Sequence, residues 1–307
     1  MRPQTPPEYV EAYINASVTK AYMPTQKLFL MGMMAGAFVA IGAASASAAS
    51  HALTNVGVAK ALAGIVFPIG LMMIIFIGGE LFTGDTMMLM GAMHKQFTSF
   101  RLIRTLAWVY VSNLCGAALI SLLVVNSGQY AYSGNGLGAY TIKVAYDKCN
   151  GNFTSLLISG ILCNVLVCVA VLMSMAAKDA TGKVFGFLFP IFAFVIAGYE
   201  HCVANMYYIP AGIQAIRYEV YATKAMELNG LTAEQLATVN VKNFLLGNLL
   251  PVTIGNIIGG MVFISFPLYI LHRDKLYKDP THKEYLAVER ENKEIFEKEL
   301  HHPIEEN

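Results

Sequence analysis

Charge is what this sequence is short of: Asp, Glu, Lys and Arg make up 13% of its 307 residues, about half the share found in a soluble domain. With 56% hydrophobic residues, that supply cannot furnish a water-facing exterior. Metal-ligand spacing is missing as well. The five cysteines, Cys115, Cys149, Cys163, Cys168 and Cys202, form no C-x-x-C pair, and four of them fall inside apolar runs. They read as small packing residues, so no metal site and no cofactor is expected. The net charge of +1 gives no reason to expect a nucleic-acid partner. An intramembrane enzyme would need a nucleophile or a metal set, and one deep histidine with scattered cysteines supplies neither. The residues ahead of Leu28 are polar and mildly amphipathic and lack the short apolar core of a secretory signal, so the first membrane helix is expected to be its own insertion signal.

What is plentiful is charge-free apolar length. Roughly 18 such residues suffice to cross the hydrocarbon core of a bilayer, and Leu28–Ser50, Ala61–Gly79, Thr105–Asn126, Phe153–Ala177 and Phe244–Leu271 all qualify. A sixth region, Val184–Ile216, is interrupted by Glu200 and His201. The pattern predicts an all-α membrane protein with six spans. Residues 1–27 are expected to form a cytoplasmic N-terminal segment, 28–272 the membrane domain, and 273–307 a cytoplasmic tail in which acids and bases alternate.

The distribution of basic residues sets the orientation. With the N-terminus inside, the inner segments hold Arg2, Lys20, Lys27, Lys95, Arg101, Arg104, Lys178, Lys183 and every basic residue from Arg273 onward. The outer segments hold Lys60, Lys143, Lys148, Arg217, Lys224 and Lys242. That bias predicts a multi-pass protein of the cell (plasma or inner) membrane with both termini cytoplasmic.

An internal repeat locates the part of the chain that matters. Phe67-Pro68-Ile69 precedes Gly78-Gly79-Glu80, and Phe189-Pro190-Ile191 precedes Gly198-Tyr199-Glu200. The third spans of both halves then share Asn-x-x-Gly, at Asn113/Gly116 and Asn256/Gly259. Repeats over about 28–127 and 153–271 with three spans each must enter the membrane from opposite sides. Each half thereby gives its broken second helix, the second and the fifth of the chain, to a common centre. A break at membrane depth frees backbone N–H groups and a positive dipole end, which is tolerated only inside protein or beside a polar cavity and is a natural host for a small anion.

His201 is the one histidine deep in a span; it can change protonation near neutral pH or hydrogen-bond a passing anion. Thr83 lies in the break of the other half and could bond the imidazole or a solute. Glu80 and Glu200 read as structural anchors of the two loops, each within reach of loop amides that need acceptors. Asp85 reads as the cap of the short helix after Gly84. Asn113 and Asn256 are expected to bond across helices that Gly116, Gly259 and Gly260 let approach closely. Phe67, Leu71, Leu81, Phe82 and Phe194 lie where apolar constrictions could form, although aromatic and aliphatic stripes on helices are more often plain packing. Lys148 sits in the outer loop Tyr130–Gly151 beside Asp147, where at the mouth of a pore it would concentrate anions.

These residues carry a family resemblance. Gly79-Glu80-Leu81-Phe82-Thr83-Gly84, Gly198-Tyr199-Glu200-His201-Cys202-Val203-Ala204-Asn205-Met206 and Pro251-Val252-Thr253-Ile254-Gly255-Asn256-Ile257-Ile258-Gly259-Gly260 resemble the signature segments of the formate/nitrite transporters. The resemblance runs from about residue 28 to 272 and implies a homopentamer of aquaporin-like protomers, each with its own pore. It implies Thr83 and His201 as the central polar pair, with Asn205 orienting the histidine. Phe67 and Phe194 with Asn164 would form an outer constriction, Leu71, Leu81 and Phe82 an inner one, and Lys148 would stand in the outer vestibule. No Asn-Pro-Ala triplet is present, which argues against a true aquaporin. The expected cargo is a small anion of a weak acid, formate first, with nitrite, hydrosulfide, acetate and lactate handled by relatives. A bare carboxylate costs on the order of tens of kcal/mol to bring into a low-dielectric constriction, so passage as the protonated acid, or with a proton, is expected over passage of the naked anion beside a protonated His201. The rival reading from another class is a structural membrane protein that moves nothing.

Overall fold

Apolar length becomes helix throughout the computed structural model, which describes residues 2–276; among the described residues there is no strand. The expected tail falls, from residue 277 onward, outside the described residues. Six stretches are long and apolar enough to cross a membrane: Thr25–Ser50, Val56–Ile77, Ser99–Asn126, Phe153–Ala176, Ala180–Ala197 and Asn243–Leu276. They make two inverted three-helix halves.

The chain opens with α1 (Pro6–Tyr22), started by a Thr5/Glu8 capping box and by Pro6 in its first turn. This helix is not a loose leader. It buries Val10, Tyr13, Ile14, Ser17, Val18 and Ala21 against the membrane helices. The first half continues with α2 (Thr25–Ser50), α3 (Val56–Val66), α4 (Ile69–Ile77), the single turns α5 (Phe82–Asp85) and α6 (Leu89–Met93), and α7 (Ser99–Asn126). α8 (Tyr132–Cys149) then lies between the halves, its first turn left-handed at Ser133, Gly134 and Asn135. The second half comprises α9 (Phe153–Ala176), α10 (Ala180–Ala197), α11 (Cys202–Ala215), the connecting helices α12 (Glu219–Asn229) and α13 (Ala233–Ala237), and a last span built from α14 (Leu250–Ile258) and α15 (Phe266–Leu276). Two π-helical stretches, Asn243–Leu249 and Gly259–Ser265, interrupt that last span. Each ends two residues before a proline, Pro251 or Pro267, whose nitrogen cannot donate to the helix ladder.

The two halves are held by the same packing. α2 crosses α7 so closely that a Cβ on Gly116 would lie 1.9 Å from the Met33 carbonyl oxygen, and α9 crosses α14 so closely that one on Gly259 would lie 2.4 Å from that of Ile161. No side chain larger than hydrogen fits either crossing. Without a hydrophobic drive between helices in lipid, such close backbone contact is a main source of attraction.

Candidate functional site

The two breaks are built alike. Gly78 (φ +104) ends α4 and Gly198 (φ +73) ends α10. Helix resumes after Leu81 and His201, the N-cap residues of α5 and α11, whose φ/ψ of −109/118 and −110/115 nearly coincide. The freed amides find acceptors on the third span of their own half: Phe82 N–H donates to Asn113 Oδ1 at 3.0 Å, and Cys202 N–H to Asn256 Oδ1 at 2.9 Å. The same asparagines donate through Nδ2. Asn113 reaches the Gly32 and Glu80 carbonyls at 2.7 and 2.9 Å; Asn256 reaches those of Gly160 and Glu200 at 2.8 and 3.0 Å. The asparagines therefore do the loop-tying that the sequence suggested for the glutamates.

This register pairs Glu80 with Glu200, Leu81 with His201 and Asp85 with Asn205. Thr83 stands two residues beyond the position that matches the histidine, yet its Oγ1 lies 2.9 Å from His201 Nε2, both side chains buried. One hydrogen bond thus joins the two broken segments across the pseudo-twofold. The tautomer follows from the other ring nitrogen. Nδ1 accepts the Ala204 backbone N–H at 3.0 Å, an N-cap bond in which the amide must donate. A neutral ring then carries its proton on Nε2 and donates to Thr83 Oγ1, which leaves the threonine hydrogen free to point elsewhere. An imidazolium would aim Nδ1–H at the Ala204 N–H and would set a positive charge at the positive end of α11.

Aromatic rings cover this pair on one side. Phe194 stacks on His201 with centroids 6.0 Å apart, and Phe67 meets Phe194 edge-on at 5.5 Å and 88°. Asn164 does not line the cavity that these rings line. Its Nδ2 donates to the carbonyls of Asn256 (2.6 Å) and Thr83 (3.1 Å) and to Thr86 Oγ1 (3.2 Å), so it steadies the central segment and not the mouth. Asn205 does not bond His201 either. Its Nδ2 donates to Glu200 Oε2 at 2.6 Å and to Asn248 Oδ1 at 2.7 Å, and the groups that orient the imidazole are Thr83 and the Ala204 amide.

The carboxylates are lysine-bound. Both oxygens of Glu200 lie 2.9 Å from Lys148 Nζ, while Asp147, its sequence neighbour, pairs with Lys143. Lys20 of α1 reaches both Glu80 Oε2 and Asp85 Oδ1 at 2.6 Å. Asp85 therefore serves an ion pair and caps nothing. Lys20 escaped the sequence reading, although a signal existed: it precedes Gly32 by the same interval that separates Lys148 from Gly160. The duplicated unit begins in α1 and α8, ahead of residues 28 and 153.

Two cavities flank the central pair. The outer, ≈ 230 Å³, is lined by Phe67, Phe194, His201, Asn205, Lys148 and Lys60 among others. The inner, ≈ 280 Å³, is lined by Leu71, Leu81, Ile74, Val171, Lys20 and Asp85 among others. Leu71 and Leu81 thus keep company as read from sequence, whereas the Phe82 ring lies against Tyr110 of α7, centroids 4.8 Å apart, and is not part of the inner lining. Among the described residues no group of His, Cys, Asp and Glu has the arrangement of a metal site. His201 thus lines the outer cavity, Leu81 and Gly84 on either side of Thr83 line the inner one, and the hydroxyl–imidazole bond joins the two segments.

Known proteins share both sequence and fold. A family model described as formate/nitrite transporter matches residues 7–270. The chain is similar to the formate channel FocA of Haemophilus influenzae, 33% identical over 263 residues that cover 85% of this chain and 92% of that protein. FocA of Escherichia coli K12 is likewise 33% identical, over 260 residues covering 84% and 90%. In three dimensions the chain resembles a solved structure titled "Pentameric formate channel with formate bound", with a TM-score of 0.71, 30% identity and coverage of 81% of this chain and 97% of that one.

Proposed function

Because the chain belongs to the formate/nitrite transporter family, and is thus a multi-pass membrane transport protein and not an enzyme, we propose that it conducts small monovalent anions of weak acids, formate foremost, as the protonated acid or together with a proton. The assembly is a homopentamer in the plasma or inner membrane with both termini cytoplasmic, a reading supported by the pentameric title of the similar structure and by the lysine and arginine bias.

The observation that carries the proposal is the Thr83–His201 bond between two water-accessible cavities. Its polarity is that of a neutral ring: Nε2–H donates inward to the threonine, and the threonine hydroxyl is the donor left for a passing oxygen. Such a donor can hold a carboxylic acid by its carbonyl oxygen. It offers no full positive charge, and apolar rings on the outer side together with Leu71 and Leu81 on the inner side penalise an ion further. A neutral imidazole cannot release Nε2–H without becoming an anion, so in this reading the acid takes its proton before it reaches the central pair.

The sign of the pH effect follows. A carboxylic acid with a pKa of about 4 is protonated to roughly one part in 10³ at pH 7, and each unit of acidification raises that fraction about tenfold. In proteoliposomes an alkaline interior should drive accumulation of labelled formate, by up to about tenfold per unit of imposed pH difference, and a protonophore should abolish it. Accumulation that follows voltage alone and ignores the pH difference would replace coupling by anion conduction. Absence of flux for formate, nitrite, hydrosulfide, acetate and lactate would reject transport altogether.

A further inference from the structure

Lys148 contributes little net charge to the outer cavity. Its ammonium is held by both oxygens of Glu200, with the two side chains only 15% and 14% exposed, so an arriving anion meets a near-neutral pair. Freeing that lysine would strand a buried carboxylate. A second lysine lines the same cavity from the opposite half: Lys60 of α3. It is exposed and has neither an ion pair nor a side-chain hydrogen bond among the described residues. Its Nζ stands over the left-handed turn at Gly198, 3.3 Å from where a Cβ on that residue would lie, two residues before Glu200. No Asp or Glu lines this cavity.

The inner cavity is composed differently. It too has a second lysine, Lys183 of α10, but there Lys20 faces two carboxylates, Glu80 and Asp85. At the position where the inner site carries Asp85, the outer site carries the uncharged Asn205. The additional lysine inside is offset by the additional acid, whereas the one outside is not.

We infer that Lys60 is the anion-docking residue of the outer mouth, the group that first holds a small carboxylate before it loses its charge. The inference rests on the transport reading above. A fixed, unpaired ammonium at a concave surface raises the local concentration of anions and is screened by salt. Because it is exposed, docking there demands little desolvation, unlike binding at the part-buried Lys148, which Glu200 already holds.

The test is initial uptake of labelled formate, as a function of concentration and ionic strength, in proteoliposomes of known protein orientation. Lys60→Gln should raise the half-saturating concentration about fivefold, the factor expected for one exposed charge at contact distance, and should flatten the salt dependence. Lys60→Arg should restore both. Lys224→Gln, which removes a half-buried charge that does not line the cavity, should behave as wild type. The measurements are repeated in purely zwitterionic vesicles. An effect of Lys60→Gln confined to anionic vesicles would assign the lysine to a lipid headgroup and overturn the inference, as would unchanged half-saturation and salt dependence beside a normally active wild type. A wild type without formate uptake would instead overturn the transport reading, and the inference with it.

Discussion

His201 holds two bonds of different purpose, and they can be separated by substitution. The bond from Ala204 N–H to Nδ1 starts α11; the bond between Nε2 and Thr83 joins the two halves. Asparagine is among the best N-cap residues, so His201→Asn can still accept the Ala204 amide, but its side chain is too short to reach Thr83. This variant should fold and assemble, and its flux should fall. Thr83→Val removes the hydroxyl at nearly constant shape and leaves Nε2–H buried without an acceptor, a cost of about 1–3 kcal/mol. Formate flux should drop roughly 10- to 100-fold, with Thr83→Ser close to wild type. Stopped-flow uptake with equal amounts of reconstituted protein measures this, and a Thr83→Val variant as fast as wild type would remove the pair from the mechanism. Of these two bonds the sequence offered one, the contact of Thr83 with the imidazole. The deep histidine and the threonine in the opposite break were legible because polar residues are rare in apolar runs. The partner of Nδ1 was not, because a backbone amide has no sequence signature.

At the level of helices, the repeat was visible wherever it interrupts hydrophobicity: at the prolines, at Gly78-Gly79-Glu80 and Gly198-Tyr199-Glu200, and at Asn113 and Asn256. It was invisible where the partner lies far along the chain. Lys20 meets Glu80 and Asp85, and Lys148 meets Glu200, only because α1 and α8 fold back over the breaks. The π stretches also went unread, since their cause is a missing donor two residues ahead and not a change in hydrophobic period. The lysine pairs carry a stability prediction. Lys148→Met leaves Glu200 largely buried, with the side-chain amides of Asn205 and Asn248 beside its carboxylate but no cation, and breaking a buried pair in this way costs about 3–5 kcal/mol. Thermal unfolding in detergent should shift to clearly lower temperature. Adding Glu200→Gln removes the stranded charge and should recover most of the loss. If the double variant melts no higher than the single one, the lysine has some structural role other than neutralising the glutamate.

The whole assembly raises a different question, namely whether the conducting path lies within a protomer or between protomers. A single chain is sufficient to build both cavities: α1, α3, α4, α9, α10 and α11 all contribute, and the central bond joins residues of the same chain. The lipid-length helices also present apolar faces. They carry large apolar side chains such as Ile65, Phe100, Ile103, Phe189 and Leu271, each more than half exposed, as helices facing lipid or apolar neighbours require. A site complete within one chain should work without regard to its neighbours. In the proposed homopentamer, mixtures of wild-type and His201→Asn protomers should therefore lose flux in direct proportion to the variant fraction. A path shared along the oligomer axis, or a concerted opening of all five chains, would bend the curve steeply downward, because most mixed assemblies would contain at least one defective member. The measurement needs two differently tagged chains co-expressed at known ratios, purified through both tags, and assayed for formate uptake per reconstituted pentamer. Proportional loss fits five separate pores; a curve that collapses at low variant fraction would move the path, or its gate, to the contacts between chains.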